Sequence, residues 1–199
     1  MESIGQPNWR TPVQKFREWL KKSWVNGSQS EYSSGLQDFV PAGEVEKYLG
    51  DGATLRDILV VLFKRDQDRP RKRDIIPRFT VVFAILVSIG YGHYIIHFLS
   101  HDALCDQQLP FDVKPTQFPS DIPFPAFHAE QFRFCARVLY EGSSNSFRDL
   151  DRLPFLEKEA IEDGEGGSAK VYKVKVHARH IWRSWNGQVN ILAFWNEPH

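Results

Sequence analysis

The first part of the chain carries apolar residues at the spacing of an amphipathic helix. Between positions 11 and 24 they fall on one helical face, and the basic residues fall away from it. The apolar residues are Val13, Phe16, Trp19, Leu20 and Trp24. Thr11, Pro12 and Gln14 supply a cap, a first-turn proline and a side chain that reaches back to the cap. The apolar face either packs against the rest of the protein or binds a membrane or a partner helix.

Two more helices and a charged segment are predicted next. Residues 41–49 form a short helix that ends before Gly50, and another helix starts at Thr54. The apolar face of the second helix comprises Leu55, Ile58, Leu59, Leu62 and Phe63. Residues 64–74 are charged and include the basic run Arg71-Lys72-Arg73. A solvated connection is the main interpretation, and nuclear import or an acidic partner is the alternative.

The stretch that begins at Thr80 and ends at Ser100 contains no aspartate, glutamate, lysine or arginine. Its length alone makes it a candidate membrane span. Gly90 and Gly92 instead predict a break in the helix. We therefore expect a buried helix that ends near Ile89, a turn and a second short helix. A single membrane span is the alternative.

Histidine or cysteine recurs every four residues after this break, at His93, His97, His101 and Cys105. On an unbroken helix these side chains would share one face, and a histidine pair at this spacing can bind zinc. Residues 102–106 are typical of a helix end, however, and apolar residues separate the histidines. We therefore expect histidines at a helix edge and no metal site. The same interpretation applies to His177 and His180.

Five prolines between positions 109 and 127 exclude a regular helix. We expect an extended surface connector that is anchored by Phe111, Phe118, Phe124 and Phe127. Binding to a proline-recognition module is the alternative. Residues 128–140 alternate weakly between apolar and polar and predict a strand, and residues 142–145 predict a turn.

Composition and charge narrow the classes of partner. The 25 basic and 25 acidic residues cancel, which implies no bulk attraction to nucleic acid or to a membrane surface. Cys105 and Cys135 are too few for a disulfide framework and favour a reducing compartment. The first ten residues lack the apolar core of a signal peptide. We expect a cytoplasmic protein, with a nuclear location left open and a protein partner of unknown identity.

Strict alternation of apolar and polar residues predicts a half-buried strand over residues 171–176. An apolar-biased segment covers residues 153–161, and a glycine cluster lies between the two. Strand, glycine turn and strand predict a β-hairpin, and backbone N–H groups at its glycines are open to phosphates. The predicted fold class is therefore α+β, with a helical N-terminal region followed by a short antiparallel β-sheet.

The glycine cluster and the strand after it resemble the glycine-rich loop of a protein kinase. The residues that carry this resemblance are Gly164, Glu165, Gly166, Gly167, Ser168, Ala169 and Val171. From about residue 40 to residue 177 the chain is also similar to fungal protein-kinase-like proteins that have a helical N-terminal extension. The resemblance implies an ATP-binding loop at these residues, within the first strands of a kinase small lobe.

The chain departs from the kinase pattern at positions that matter for phosphate binding. Ala169 replaces the third glycine, Ser168 replaces the aromatic residue at the loop tip, and Asp163 replaces an apolar residue. A carboxylate at that last position would repel triphosphate oxygens. The best match to the lysine strand is residues 192–195, with Trp195 at the lysine position; the alternative is that the third strand is missing. No catalytic-loop or metal-binding aspartate follows the hairpin.

These observations predict a truncated fragment or remnant of a protein kinase, a pseudokinase without catalytic residues. ATP is the one cofactor that the resemblance implies. The predicted segments are a helical region (1–105), a proline-rich connector (106–151) and a partial kinase small lobe (152–199). The alternatives are a protein-interaction module that works through the helical region and a single-pass membrane protein.

Overall fold

The computed structural model describes residues 11–27, 38–140, 151–161, 169–182 and 190–196. Helices dominate up to residue 134 and strands follow, which confirms the α+β class. The helices are α1 (Pro12–Ser23), α2 (Glu44–Gly50), α3 (Ala53–Leu62), α4 (Lys72–Ile75), α5 (Thr80–Ser88), α6 (Ile95–Phe98) and α7 (Phe124–Phe134). The strands are β1 (Leu139–Tyr140), β2 (Phe155–Ile161), β3 (Ala169–Val176), β4 (Ile181–Trp182) and β5 (Asn190–Asn196).

The chain divides into two compact units, and each draws on two separate stretches of sequence. Unit one comprises residues 1–23 and 45–127, and unit two comprises residues 24–44 and 128–199. This division differs from the three consecutive segments predicted above. Residues 24–44 group with the C-terminal part of the chain, and the proline-rich connector is divided, with residues 106–127 in unit one and residues 128–151 in unit two.

Helix α1 forms as the sequence predicts. The amide of Gln14 donates to Thr11 Oγ1 at 3.2 Å, and the amide of Thr11 donates to Gln14 Oε1 at 2.8 Å. Phe16 and Leu20 are buried on its apolar face. Trp24 was expected on this face as well, but it lies beyond the end of α1 in unit two. There the guanidinium carbon of Arg133 lies 4.4 Å from the centre of its ring.

The core of unit one is built around α5, which is apolar on every side. Residues 82–87 are at most 1% exposed, and a helix without a polar face has to be surrounded by protein. Leu55, Ile58 and Leu59 of α3 are buried in the same unit. The predicted amphipathic pattern of α3 is therefore confirmed.

The long uncharged stretch is interrupted where the glycines predict a break. Gly90 has a φ of 93°, which glycine adopts without strain, and the amide of Tyr91 donates back to the carbonyl of Leu86 at 2.7 Å. Gly92 is also required, because a Cβ atom there would lie 2.8 Å from side-chain atoms of Leu62 and Val87. Among the described residues, no helix is both long enough and apolar enough to cross a membrane.

The phenylalanines of the proline-rich segment pack into unit one, as expected. Phe111, Phe118 and Phe127 are between 0% and 5% exposed. The ring centres of Phe111 and Phe127 lie 5.8 Å apart, and those of Phe118 and Phe127 lie 5.2 Å apart. The segment is therefore part of a core as well as a connection.

Two expectations about the residues that follow are wrong. Helix α7 starts at Phe124, inside the stretch from which the prolines were expected to exclude a helix. Pro125 occupies its first turn, where a missing N–H group breaks no helical hydrogen bond. The strand expected over residues 128–140 is also helical up to Phe134, because Phe127, Gln131 and Phe132 are buried at helical spacing. Only Leu139 and Tyr140 belong to a strand.

Unit two contains a three-stranded antiparallel sheet in the order β2-β3-β5 and a parallel pair formed by β1 and β4. The two strands of the predicted hairpin are confirmed as β2 and β3, and the turn between them lies outside the described residues. Five side chains form a buried apolar cluster beside the sheet, with Ile181 packed against it. They are Leu139, Leu153, Phe155, Val174 and Val176.

Candidate functional site

The glycine-rich segment connects β2 to β3, two antiparallel neighbours in the sheet. Gly164, Glu165, Gly166, Gly167 and Ser168 lie outside the described residues. Ala169 and Val171 are the first and third residues of β3. Val171 pairs with Ile161 on one side and with Phe194 on the other. Two of the seven predicted loop residues thus have fixed positions at the start of the second hairpin strand.

A third strand pairs with the hairpin within the described part of the chain. β5 runs antiparallel to β3 from Asn190 to Asn196. Trp195, expected at the lysine position, pairs with Lys170, and the residue that pairs with Val171 is Phe194. Neither Trp195 nor Phe194 is a cation, so β5 places no lysine opposite the first residues of β3.

Two of the three lysines of β3, Lys173 and Lys175, face glutamates on β2. Glu157 lies opposite Lys175 and Glu159 lies opposite Lys173 in the antiparallel register. Lys175 Nζ forms an ion pair with Glu157, and Lys173 is exposed to solvent. Opposite charges in directly opposed positions stabilise a sheet modestly and leave little net charge at these two positions.

His180, which the sequence placed among ordinary boundary histidines, is buried and hydrogen-bonded in unit two. Its side chain is 1% exposed, and its ring packs edge-on against Phe39 at 5.2 Å between centres. Nε2 accepts a hydrogen bond from the amide of Ala42 at 3.1 Å. Nδ1 lies 3.2 Å from the carbonyl oxygen of Arg137 and must donate to it, because a carbonyl only accepts. Burial lowers the pKa of His180 to about 4.

Two ion pairs reinforce the same region. Arg179 pairs with Glu44 and also donates from Nη1 to the carbonyl of Ala42 at 3.2 Å. Arg137 contacts one carboxylate oxygen of Asp151 through two nitrogens: Nε donates to it at 2.9 Å, and Nη2 lies 2.8 Å from it. Asp151 is 5% exposed. The Arg179 contacts join residues 42–44 to the segment that follows β3, and the Arg137 contacts join that residue to Asp151. Their role is structural, and sequence patterns held no signal for them.

The periodic histidines of unit one do not share a helical face. Helix α6 ends at Phe98, and the rings of His97 and His101 lie 4.9 Å apart across that end. His97 Nε2 donates to the carbonyl of Gln117 at 2.8 Å, and Cys105 is buried. Within the described ranges no group of three histidine, cysteine, aspartate or glutamate side chains could hold a metal ion.

Comparisons of the chain with protein-family models, with curated proteins and with solved structures gave no match.

Proposed function

We propose that this chain is a non-catalytic relative of protein kinases, with the first three strands of a small lobe behind a helical extension. It acts by binding a protein partner and not by phosphoryl transfer. The observation that carries this proposal is the sheet order β2-β3-β5, with both strand pairs antiparallel and the glycine-rich segment between the first two.

The register supports the kinase-like part of the proposal. A glycine-rich loop can cover phosphates only when two adjacent strands hold its ends together, and Ile161 and Val171 are such a pair at the loop end of the hairpin. The third strand of a kinase small lobe lies beside the second, and β5 lies beside β3. The order of the strands therefore supports the proposal alongside the glycine spacing.

The charges support the non-catalytic part. Phosphoryl transfer depends on cations and metal ligands that stabilise the transferred group. Residues 177–199 contain no lysine and no aspartate, and Lys175 is paired with Glu157. Asp163 adds a negative charge next to the first glycine. Binding is thus the function that remains available to these residues.

A repaired loop tests the proposal directly. The triple variant Asp163→Ile/Ser168→Phe/Ala169→Gly restores the kinase pattern at three positions and removes the carboxylate. We expect Mg-ATP to leave the melting temperature of the wild-type chain unchanged and to raise that of the triple variant. Neither protein should transfer labelled phosphate from ATP to a protein acceptor.

Three outcomes separate the parts of the proposal. A saturable shift of the wild-type chain with Mg-ATP would show that the natural loop binds nucleotide. Labelled phosphate transferred by the wild-type chain would overturn the non-catalytic assignment. If the triple variant folds and also fails to respond, the hairpin is not a phosphate-binding loop. Mg-GTP and inorganic triphosphate serve as ligand controls, and Asp163→Asn isolates the charge.

A further inference from the structure

Strand β5 forms one edge of the three-stranded sheet, and no other described strand pairs with its far side. From Gly187 to Asn196 the sequence contains no charged residue and no proline. Edge strands of this kind readily add another strand, and most proteins protect them with lysine, proline or a bulge. β5 carries none of the sequence-encoded protections.

The order of residues in β5 indicates which strand it would add. Its sequence, Asn-Ile-Leu-Ala-Phe-Trp-Asn, is nearly symmetric about Ala193. When two copies run antiparallel and are centred on this residue, Asn190 lies opposite Asn196 of the second copy. Ile191 then lies opposite Trp195, and Leu192 opposite Phe194. Every apolar position meets an apolar position, and pairs of aliphatic with aromatic residues are among the favourable cross-strand pairs.

The opposite edge of the sheet explains why such an assembly closes. β2 carries three consecutive charged residues, Glu157, Lys158 and Glu159, and charge on an edge strand opposes the addition of an uncharged one. Pairing of β5 with β2 of another copy would be head-to-tail and would continue into a filament. Pairing of β5 with itself is two-fold symmetric and stops at two chains.

We propose that this protein forms a homodimer through antiparallel pairing of β5 with β5 of a second copy, in the register centred on Ala193. The pairing joins two three-stranded sheets into one continuous sheet. It requires nothing of the glycine-rich segment, so it goes beyond the proposed function and does not depend on it.

Charge placed at two positions of the full-length chain tests both the surface and the register. In the proposed register residue 192 of one copy lies opposite residue 194 of the other. Leu192→Lys/Phe194→Lys and Leu192→Glu/Phe194→Glu each place like charges opposite one another twice. Leu192→Lys/Phe194→Glu places opposite charges in the same two pairs and serves as the matched control. Leu192 itself pairs with Lys173, which is exposed.

Analytical ultracentrifugation at low salt gives the readout, with circular dichroism as a check on folding. We expect the wild-type chain and the lysine–glutamate variant to be dimers. The two like-charged variants should be monomers when separate and should form a mixed dimer when combined. A monomeric wild-type chain at high micromolar concentration would overturn the proposal. So would a monomeric lysine–glutamate variant with native circular dichroism, or like-charged variants that dimerise alone.

Discussion

His180 is fully buried and uses both nitrogens of its ring in hydrogen bonds. One bond comes from the amide of Ala42, and the other goes to the carbonyl oxygen of Arg137. The first bond requires a neutral ring, because a protonated imidazole has no acceptor nitrogen. With its pKa lowered to about 4 by burial, His180 is neutral near pH 7. Acid would charge the ring and break the bond to Ala42.

We expect unit two to lose stability as the pH falls from about 6.5 to about 4. In this window the unfolded chain binds a proton at His180 that the folded chain excludes, since the pKa lies below its ordinary value of 6.5. The stability that the neutral His180 ring contributes is complete above pH 6.5, its ordinary pKa. It disappears as the pH falls through about 4, the pKa of His180 in the folded protein. The difference is on the order of 3 kcal/mol. Urea unfolding followed by tryptophan fluorescence across this window measures it.

His180→Gln provides the comparison for this pH dependence, because glutamine does not titrate. Its free energy of unfolding should be lower by about 1–3 kcal/mol at neutral pH and should change less with pH. His93→Gln changes an exposed histidine and should leave the wild-type profile intact. Parallel profiles for the wild type and His180→Gln would contradict the assignment.

Thr80 differs from His180, because it is a buried polar residue whose side chain makes no hydrogen bond to the described residues. Its side chain is 0% exposed, and Oγ1 has no hydrogen-bond partner among the described residues. We expect Thr80→Val to raise the free energy of unfolding by about 1 kcal/mol, because valine fills the same volume without a hydroxyl to desolvate. Thr80→Ser keeps the hydroxyl, loses the methyl group and should lower stability. Chemical denaturation of the three proteins decides; a less stable valine variant would mean that the hydroxyl has a partner.

Helix α5 shows how distant side chains complete a helix. At its N-terminus the carboxylate of Asp106 accepts from the amides of Val81 at 3.0 Å and Val82 at 2.8 Å. At its C-terminus Arg17 donates from Nε at 3.2 Å and from Nη2 at 3.0 Å to the carbonyl of Val87. An anion at the N-terminus and a cation at the C-terminus both complement the helix dipole. Both ends of α5 are thereby closed by side chains that lie far from it in the sequence.

We expect Asp106→Ala to lower the free energy of unfolding by about 2 kcal/mol, because the amides of Val81 and Val82 lose their acceptor. Asp106→Asn retains one acceptor oxygen and should lose less. Asp102→Ala is the matched control, since the side chain of Asp102 is 84% exposed and pairs with Arg78 at the surface. Thermal unfolding of the three variants provides the measurement, and an unchanged Asp106→Ala variant would rule out the capping role.

The pH profile gives Asp106 a second signature. Burial raises its pKa to about 6, against the pull of the amides of Val82 and Val81 toward the charged form. The folded protein therefore holds a proton that the unfolded chain releases. This contribution to stability is complete below pH 3.8 and is lost as the pH rises through about 6. Asp106→Asn should lack this decline, whose direction is opposite to that from His180.

Sequence patterns predict an element well when its determinants are close together along the chain. The cap of α1 was predictable because Thr11 and Gln14 are three residues apart, and the break after α5 was predictable from its glycines. Asp106 and Arg17 were not, because they lie 24 and 70 residues from their partners in α5. Helix α7 was not predicted, because a proline disrupts the interior of a helix but is tolerated in its first turn, where Pro125 lies.

The same distinction applies to the two compact units. Alternation and the glycine cluster predicted strands β2 and β3. The grouping of residues 24–44 with those strands was not predictable, since it rests on contacts such as His180 to Ala42, 138 residues apart. Of the candidate loop, only Ala169 and Val171 lie in the described part of the structure. Val171 was predicted to begin the strand, whereas Ala169 was predicted in the loop and is the first residue of β3.

Each unit contains one cysteine, so thiol labelling can follow the two units separately in the intact chain. Cys105 is 2% exposed in unit one, and Cys135 is partly exposed in unit two. We expect a thiol reagent to label Cys135 in the native protein and Cys105 only under unfolding conditions. His180→Gln should accelerate labelling of Cys135 and leave Cys105 protected, because the hydrogen bonds of His180 lie in unit two. Native labelling of Cys105 in Cys135→Ser would contradict the burial.

The buried phenylalanines of the proline-rich segment limit how an adaptor domain could bind its prolines. An adaptor domain that recognises proline-rich peptides binds an extended segment in a groove, so that segment has to be free of the core of its own protein. Lifting this segment would carry the rings of Phe111, Phe118 and Phe127 into water, at a cost of about 2 kcal/mol for each. An adaptor could lift the segment away as an extended strand only if these rings left the core of unit one. In the folded protein the buried phenylalanine rings hold the segment in place.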